Sequence, residues 1–261
     1  MTDYRLQAVT VDKMPAAGTE APPTPLATPS PATSHPASGV PPQRISGVKR
    51  YLNSFFKDHA FIRMIYKNMF QISPRLYRSS QPTPRHIAQA ARLGVRTVIN
   101  LRGRRDNCGS WVLEDEACAR QGLALVNFPV NSRDAPKKHI LHQAREIWRD
   151  AQYPVLMHCK AGSDRVGFMS VLYLFVHEGV PLRTALGQLS PKYGHLRHAK
   201  TGILDHFFET FLAYAEGQRI EPTVDAFYQW VDDVYDPPAF KKTFMTRWWA
   251  SVLADKVLRR E

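Results

Sequence analysis

Cysteine is scarce in this chain: Cys108, Cys118 and Cys159 are the only three. That excludes a disulfide framework and fits a reducing compartment, where a single functional thiol persists. Long apolar runs are lacking too. The longest nearly apolar stretch, Val166 to Val176, is too short to cross a bilayer. The first residues, MTDYRLQAVTVDKM, contain no apolar secretory core. These features together predict a soluble, cytoplasmic protein. Acidic residues are also in deficit, 23 against 35 Lys and Arg, for a net charge of +12. Residues 1–43 carry Arg5 and Lys13 against Asp3, Asp12 and Glu20, so the excess positive charge lies beyond them. A surface of this sign favours anionic partners, among them phosphorylated proteins, phosphoinositides and acidic membranes. No nucleic-acid-binding motif accompanies the charge, and no nucleic-acid partner is expected.

What the sequence does contain falls into four segments: 1–44, 45–71, 72–217 and 218–261. The first is rich in Pro, Ala, Ser and Thr, and nine of the twenty prolines lie within 15–43. With almost no large apolar residues it cannot offset its ordering entropy, which predicts a disordered tail. The second interleaves Lys and Arg with Tyr, Leu, Phe, Ile and Met, which reads as a basic amphipathic helical segment. Such a helix packs on the domain with its basic residues in water; peripheral membrane contact through 45–70 is the alternative.

From residue 83 the pattern alternates. Thr83 to Leu93 reads as a helix capped by Thr83, with Pro84 in its first turn and Gly94 closing it. Val95 to Leu101 reads as a buried strand, and Leu123 to Pro129 and Tyr153 to His158 as two further strands. Helices are predicted over Trp111 to Gln121, Pro136 to Asp150 and Val166 to His177. This is an α/β arrangement: a mostly parallel central sheet of about four or five strands flanked by helices. After Pro181 the pattern is helical throughout, giving a helical C-terminal extension.

The segment HCKAGSDRVG, His158 to Gly167, joins an apolar strand to an apolar helix. Backbone N–H groups of such a loop converge on one point with the positive end of the helix dipole, which makes an anion site. Lys160, Ala161, Gly162, Ser163, Asp164, Val166 and Gly167 are the candidate substrate-binding residues, with Gly162 and Gly167 allowing close backbone approach. The same field favours a thiolate at Cys159. Arg165, six positions on, can fork two phosphate oxygens. A nucleophile and an oxyanion clamp from one loop suit phosphoryl transfer to sulfur.

This loop resembles the signature of the cysteine-based protein tyrosine and dual-specificity phosphatases. LYRSSQP (Leu76 to Pro82) and GVRTVINLR (Gly94 to Arg102) resemble the compact bacterial, plant and fungal dual-specificity-like branch. The resemblance spans about residues 72 to 200. It implies phosphomonoester hydrolysis through a phosphocysteine at Cys159, transition-state binding by Arg165, and neither metal nor organic cofactor. His158 would help set the thiolate through its place in the fold, and Asn100 and Arg102 would brace the loop.

The resemblance also implies a general acid on an upstream loop, for which Asp134 in NSRDAP is the candidate; Asp164 is a second, and helix capping is the alternative role for Asp134. The family places Ser or Thr straight after the arginine to steady the departing thiolate, where this chain has Val166. The expected substrate is a phosphorylated protein. Lys160 keeps a phosphoinositide, inositol phosphate or other small-molecule substrate open, and Val166 a catalytically weak phosphate-binding module. Downstream, Lys192, His195, Arg197, His198 and Lys200 form a basic run that is either the rim of the phosphate site or a solvated helix end.

Overall fold

The computed structural model describes residues 47, 49 and 69–258, with side chains as far as residue 250. The expected disordered tail and nearly all of the expected basic helical segment lie outside these residues. At the segment's end, Phe70 and Gln71 are strand rather than helix.

Five strands form one sheet in the order β1-β2-β5-β3-β4: β1 Phe70–Ser73, β2 Leu76–Ser79, β3 Thr97–Asn100, β4 Ala124–Asn127 and β5 Val155–His158. Strands β2, β5, β3 and β4 run parallel, and β1 pairs antiparallel with β2 at the edge. The parallel pairings need crossovers, and three helices supply them: α1 Pro84–Arg92, α2 Gly109–Gln121 and α3 Lys138–Asp150. The expected α/β architecture is what forms. Thr83 caps α1, its side chain accepting from the His86 N–H while the His86 ring accepts from the Thr83 N–H, and Pro84 fills the first turn. The β1–β2 hairpin was not read from the sequence, because four-residue strands give too few alternations to show a period of two.

Strand β5 is buried along its whole length and sits at the centre of the sheet. Its carboxyl end therefore opens between β2 and β3, where crevices form in parallel sheets. The chain turns there into α4, Asp164–Leu172, which continues as a π-type turn over Tyr173–His177. Residues 182–202 follow as short turns of helix. Three helices close the chain: α5 Ile203–Gln218, α6 Val224–Asp233 and α7 Pro237–Leu258. The extension is not an appendage. Phe227, Tyr228, Trp230, Val231, Tyr235 and Phe240 join the same apolar core as Met157 and Phe168. Among the described residues no helix is long and apolar enough to cross a membrane.

Candidate active site

The loop after β5 is built around Cys159, whose side chain is 3% exposed. Its Sγ accepts from the Gly162 N–H at 3.3 Å. Gly162 adopts φ +78°, a left-handed conformation that side-chain-bearing residues rarely hold. Gly167 packs tightly: a Cβ there would stand 3.0 Å from the Gln188 carbonyl oxygen and 3.4 Å from Arg78 Nη2.

A cavity of about 750 Å³ opens over the sulfur. One wall is the β4–α3 loop, Val130 to Asp134. The other is Cys159, Lys160, Ala161, Ser163, Asp164 and Arg165. Arg165 is partly buried, and among the described residues it has no carboxylate partner. The structure thus gathers Cys159, Arg165 and Asp134 around one space. Three of the expected binding residues, Gly162, Val166 and Gly167, are not among those that line it. Val166 is fully buried in the core, and the Gly167 N–H donates to the Ser163 carbonyl as the first bond of α4. Val166 and Gly167 pack at the start of α4, and the Gly162 N–H is directed at the Cys159 sulfur.

Asp134 does not cap α3. The N-cap position belongs to Lys137, and the Asp134 carboxylate accepts from the adjacent Ala135 N–H at 2.9 Å and meets Lys241 Nζ at 2.9 Å. Burial raises this carboxyl, but the bonds from Lys241 and Ala135 and the charges of Lys241 and Lys137 outweigh it and hold the group below the ordinary carboxylate range. Asp164 is differently engaged. His195 stands between two carboxylates, Nδ1 at 2.7 Å from Asp164 and Nε2 at 2.6 Å from Asp205. Burial alone would lower the imidazole, yet the two carboxylates push it up to about 9.

His195 is therefore a buried strut rather than a rim cation. Its neighbours in the basic run are also engaged. Lys192 lies over the Tyr193 ring, Arg197 pairs with Glu209, Lys200 lies over Trp248 and Trp249, and Trp248 Nε1 donates to the His198 carbonyl.

Two groups essential to this architecture were not singled out from the sequence. Arg78, at the end of β2, is fully buried. It donates to the carbonyls of Gly162 (2.9 Å) and Ser163 (3.1 Å) and to the Gln188 carbonyl (2.7 Å) and Oε1 (2.9 Å), and it stacks on Tyr193. Burial pulls its guanidinium down to about 10, against the pull of Cys159 and Tyr193. Glu114, in α2, is the second. Its side chain and that of His158 are wholly inaccessible, with His158 Nε2 at 2.5 Å from the carboxylate. Gln81 Nε2 donates to the other oxygen at 2.7 Å, and Arg102 Nη1 donates to Gln81 Oε1 at 2.6 Å. Arg102 thus braces the loop at one remove. Asn100 braces the β3 turn, accepting from the Arg102 N–H and donating to Gly103 and Asn127.

Of the other thiols, Cys108 Sγ lies 4.0 Å from Arg102 Nη2, and Cys118 packs in a separate apolar cluster. All three cysteines are buried and none forms a disulfide, and burial with Glu114 and Asp115 pushes the Cys118 thiol far up. No group of three His, Cys, Asp or Glu side chains among the described residues could hold a metal ion.

Residues 67–201 match the family model described as DSP-PTPase phosphatase fused to NAD+ kinase. The chain belongs to this family. It is also similar to the dual specificity protein phosphatase TpbA of Pseudomonas aeruginosa, at 33% identity over 122 residues in one strain and 28% over 123 in another. Each alignment covers 47% of this chain and 53% of the relative, so the chain spans about half the length of the curated relatives it matches. Among solved structures, P. aeruginosa TpbA matches with TM-score 0.45 and 23% identity, covering 56% of this chain and 86% of that one. The structure of PTPMT1 matches with TM-score 0.43 and 18% identity, covering 57% and 99%. Helices α5, α6 and α7 lie beyond the span of the family model.

Proposed function

We propose that the chain hydrolyses phosphomonoesters through a phosphocysteine, acting on phosphorylated tyrosine, serine or threonine of a protein substrate. One observation carries this reading: a loop cysteine and a partly buried arginine face the same cavity as the carboxyl of Asp134.

In the first step Cys159 Sγ attacks phosphorus in line with the leaving oxygen. The S–P bond forms as the P–O bond breaks, and Asp134 delivers its proton to the leaving alkoxide or phenolate. Arg165 and loop N–H groups bind the equatorial oxygens, where charge accumulates in the transition state. Water, losing its proton to Asp134, then attacks the phosphocysteine and releases phosphate and thiolate. The catalytic unit is the segment 72–217, and a reducing compartment such as the cytoplasm suits three cysteines held in no disulfide.

The test is hydrolysis of an aryl phosphate in EDTA by wild type, Cys159→Ser and Asp134→Asn. The reading requires activity that survives EDTA, is abolished in Cys159→Ser and falls at least about tenfold in Asp134→Asn. An inert wild type whose Cys159→Ser form still binds phosphotyrosine peptides would make the chain a phosphate-binding module. Faster turnover of inositol phosphates than of phosphopeptides would move the substrate to the small-molecule class.

A further inference from the structure

The carboxyl of Asp134 is gripped from outside the family domain. Lys241, on α7, places Nζ at 2.9 Å from its Oδ1. Tyr235, in the turn before α7, is buried and donates its hydroxyl to the Pro136 carbonyl at 2.9 Å, two residues along the same loop. The grip extends into α3. Lys138 Nζ donates to the Asp232 carbonyl at 2.9 Å, His142 Nε2 lies 2.8 Å from the Asp232 carboxylate, and the Tyr228 hydroxyl donates to the Leu141 carbonyl at 3.1 Å. Five contacts thus run from the α6–α7 extension to the cavity's acid-bearing wall and the helix behind it. Tyr228 and Tyr235 belong to the shared core, and the Lys241, Lys138 and His142 contacts lie at its exposed margin.

A general acid must carry its proton when substrate arrives, whereas a paired ammonium stabilises the carboxylate. We propose that the C-terminal extension, through Lys241, anchors the Asp134 carboxyl at the cavity wall in its ionised form and so restrains the acid step. This rests on the phosphatase reading above and adds a positioning residue from a part of the chain that the family model does not span. Lys241 faces Asp134 from α7, Tyr235 from the α6–α7 turn and Lys137 from its own loop. Across the cavity stand Cys159, Lys160, Asp164 and Arg165. Of these, Lys241 alone is placed by hydrogen bond on the carboxylate from a separate element.

The experiment compares full-length wild type, Lys241→Met and Lys241→Arg in two readouts. The first is the titration of the Asp134 carboxyl by ¹³C NMR, with the resonance assigned through Asp134→Asn. The second is the pH profile of phenyl phosphate hydrolysis, whose poor leaving group makes the acid necessary. In Lys241→Met the carboxyl should titrate at higher pH, the lost attraction being damped by partial exposure. The descending limb of the pH profile should move up with it, raising the rate beyond that limb by about threefold to tenfold. Lys241→Arg should restore both. A carboxyl that titrates alike in wild type and Lys241→Met would overturn the proposal, as would a rate change with no shift of the limb. A chain inert towards every phosphomonoester would instead overturn the phosphatase reading, and the carboxyl titration would still decide what Lys241 does.

Discussion

Arg78 Nη2 donates to the carbonyl oxygen of Gly162 at 2.9 Å, joining the end of β2 to a loop 84 residues later. The bond occupies a carbonyl that would otherwise add negative potential beside an anion site, and the neighbouring Ser163 carbonyl is taken by the same nitrogen. One guanidinium thus holds the loop open by its backbone. Lysine cannot do this, having neither the planar fork nor the reach to four acceptors. Arg78→Lys should lower kcat/KM on an aryl phosphate by about a hundredfold and cost about 2–4 kcal/mol of stability, since several buried acceptors lose their donor together. Steady-state kinetics beside a urea denaturation curve measure both. Unchanged kcat/KM in a folded variant would show that the loop does not need this brace.

Glu114 works from the other side of β5. Its carboxylate takes the Gln81 amide on one oxygen and faces His158 on the other, with neither the carboxylate nor the imidazole in reach of water. Glu114→Gln replaces one acceptor oxygen with a donor, leaving either the amide or the imidazole facing another N–H. The expected loss is about 1–3 kcal/mol in chemical denaturation. Alkylation of Cys159 by iodoacetamide should also become faster in the native state, as the residue before it loosens. An alkylation rate equal to wild type would separate this network from the loop.

These two residues show where sequence reading stops. The loop itself was legible because all its chemistry lies within ten consecutive positions and its flanks announce a strand and a helix. Asp134 was legible as a carboxylate between a strand and a helix, but its partner on α7 lies 107 positions away and has no local signal. Arg78 and Glu114 look like ordinary surface charges in LYRSSQP and VLEDEA. Only the sheet order, which sets β2 and β3 on either side of β5, makes them interior. His195 misled for the same reason. In a run of cations it reads as solvated, yet Asp164 and Asp205 draw it inside.

That pairing makes a pH prediction whose sign is definite. The folded imidazole titrates at about 9, above the ordinary histidine value of about 6.5. A group raised on folding contributes its stability fully below the unfolded pKa and loses it as pH rises through the folded one. Stability should therefore be highest near pH 6 and fall by about 2–3 kcal/mol between pH 6.5 and about 9.5. Urea midpoints across that range, compared with His195→Gln, would show the fall in wild type and its absence in the variant. Parallel curves would mean that His195 is neutral in the fold.

Val166 bears on the second half of the proposed reaction. Thiolate must leave phosphorus when water attacks, and a hydroxyl directly after the arginine would steady the charge growing on sulfur. Here that position is a fully buried valine inside α4. Breakdown of the phosphocysteine should therefore limit turnover, giving a burst of phenol release close to one equivalent of enzyme before the steady state. Val166→Thr is nearly isosteric and should raise kcat about threefold to tenfold, shrink the burst and leave kcat/KM unchanged, because that ratio reports only steps through formation of the intermediate. Burying the added hydroxyl should cost about 1 kcal/mol, small enough to keep the variant folded. A wild type with no burst would place the slow step at P–O cleavage and turn attention back to the Asp134 carboxyl.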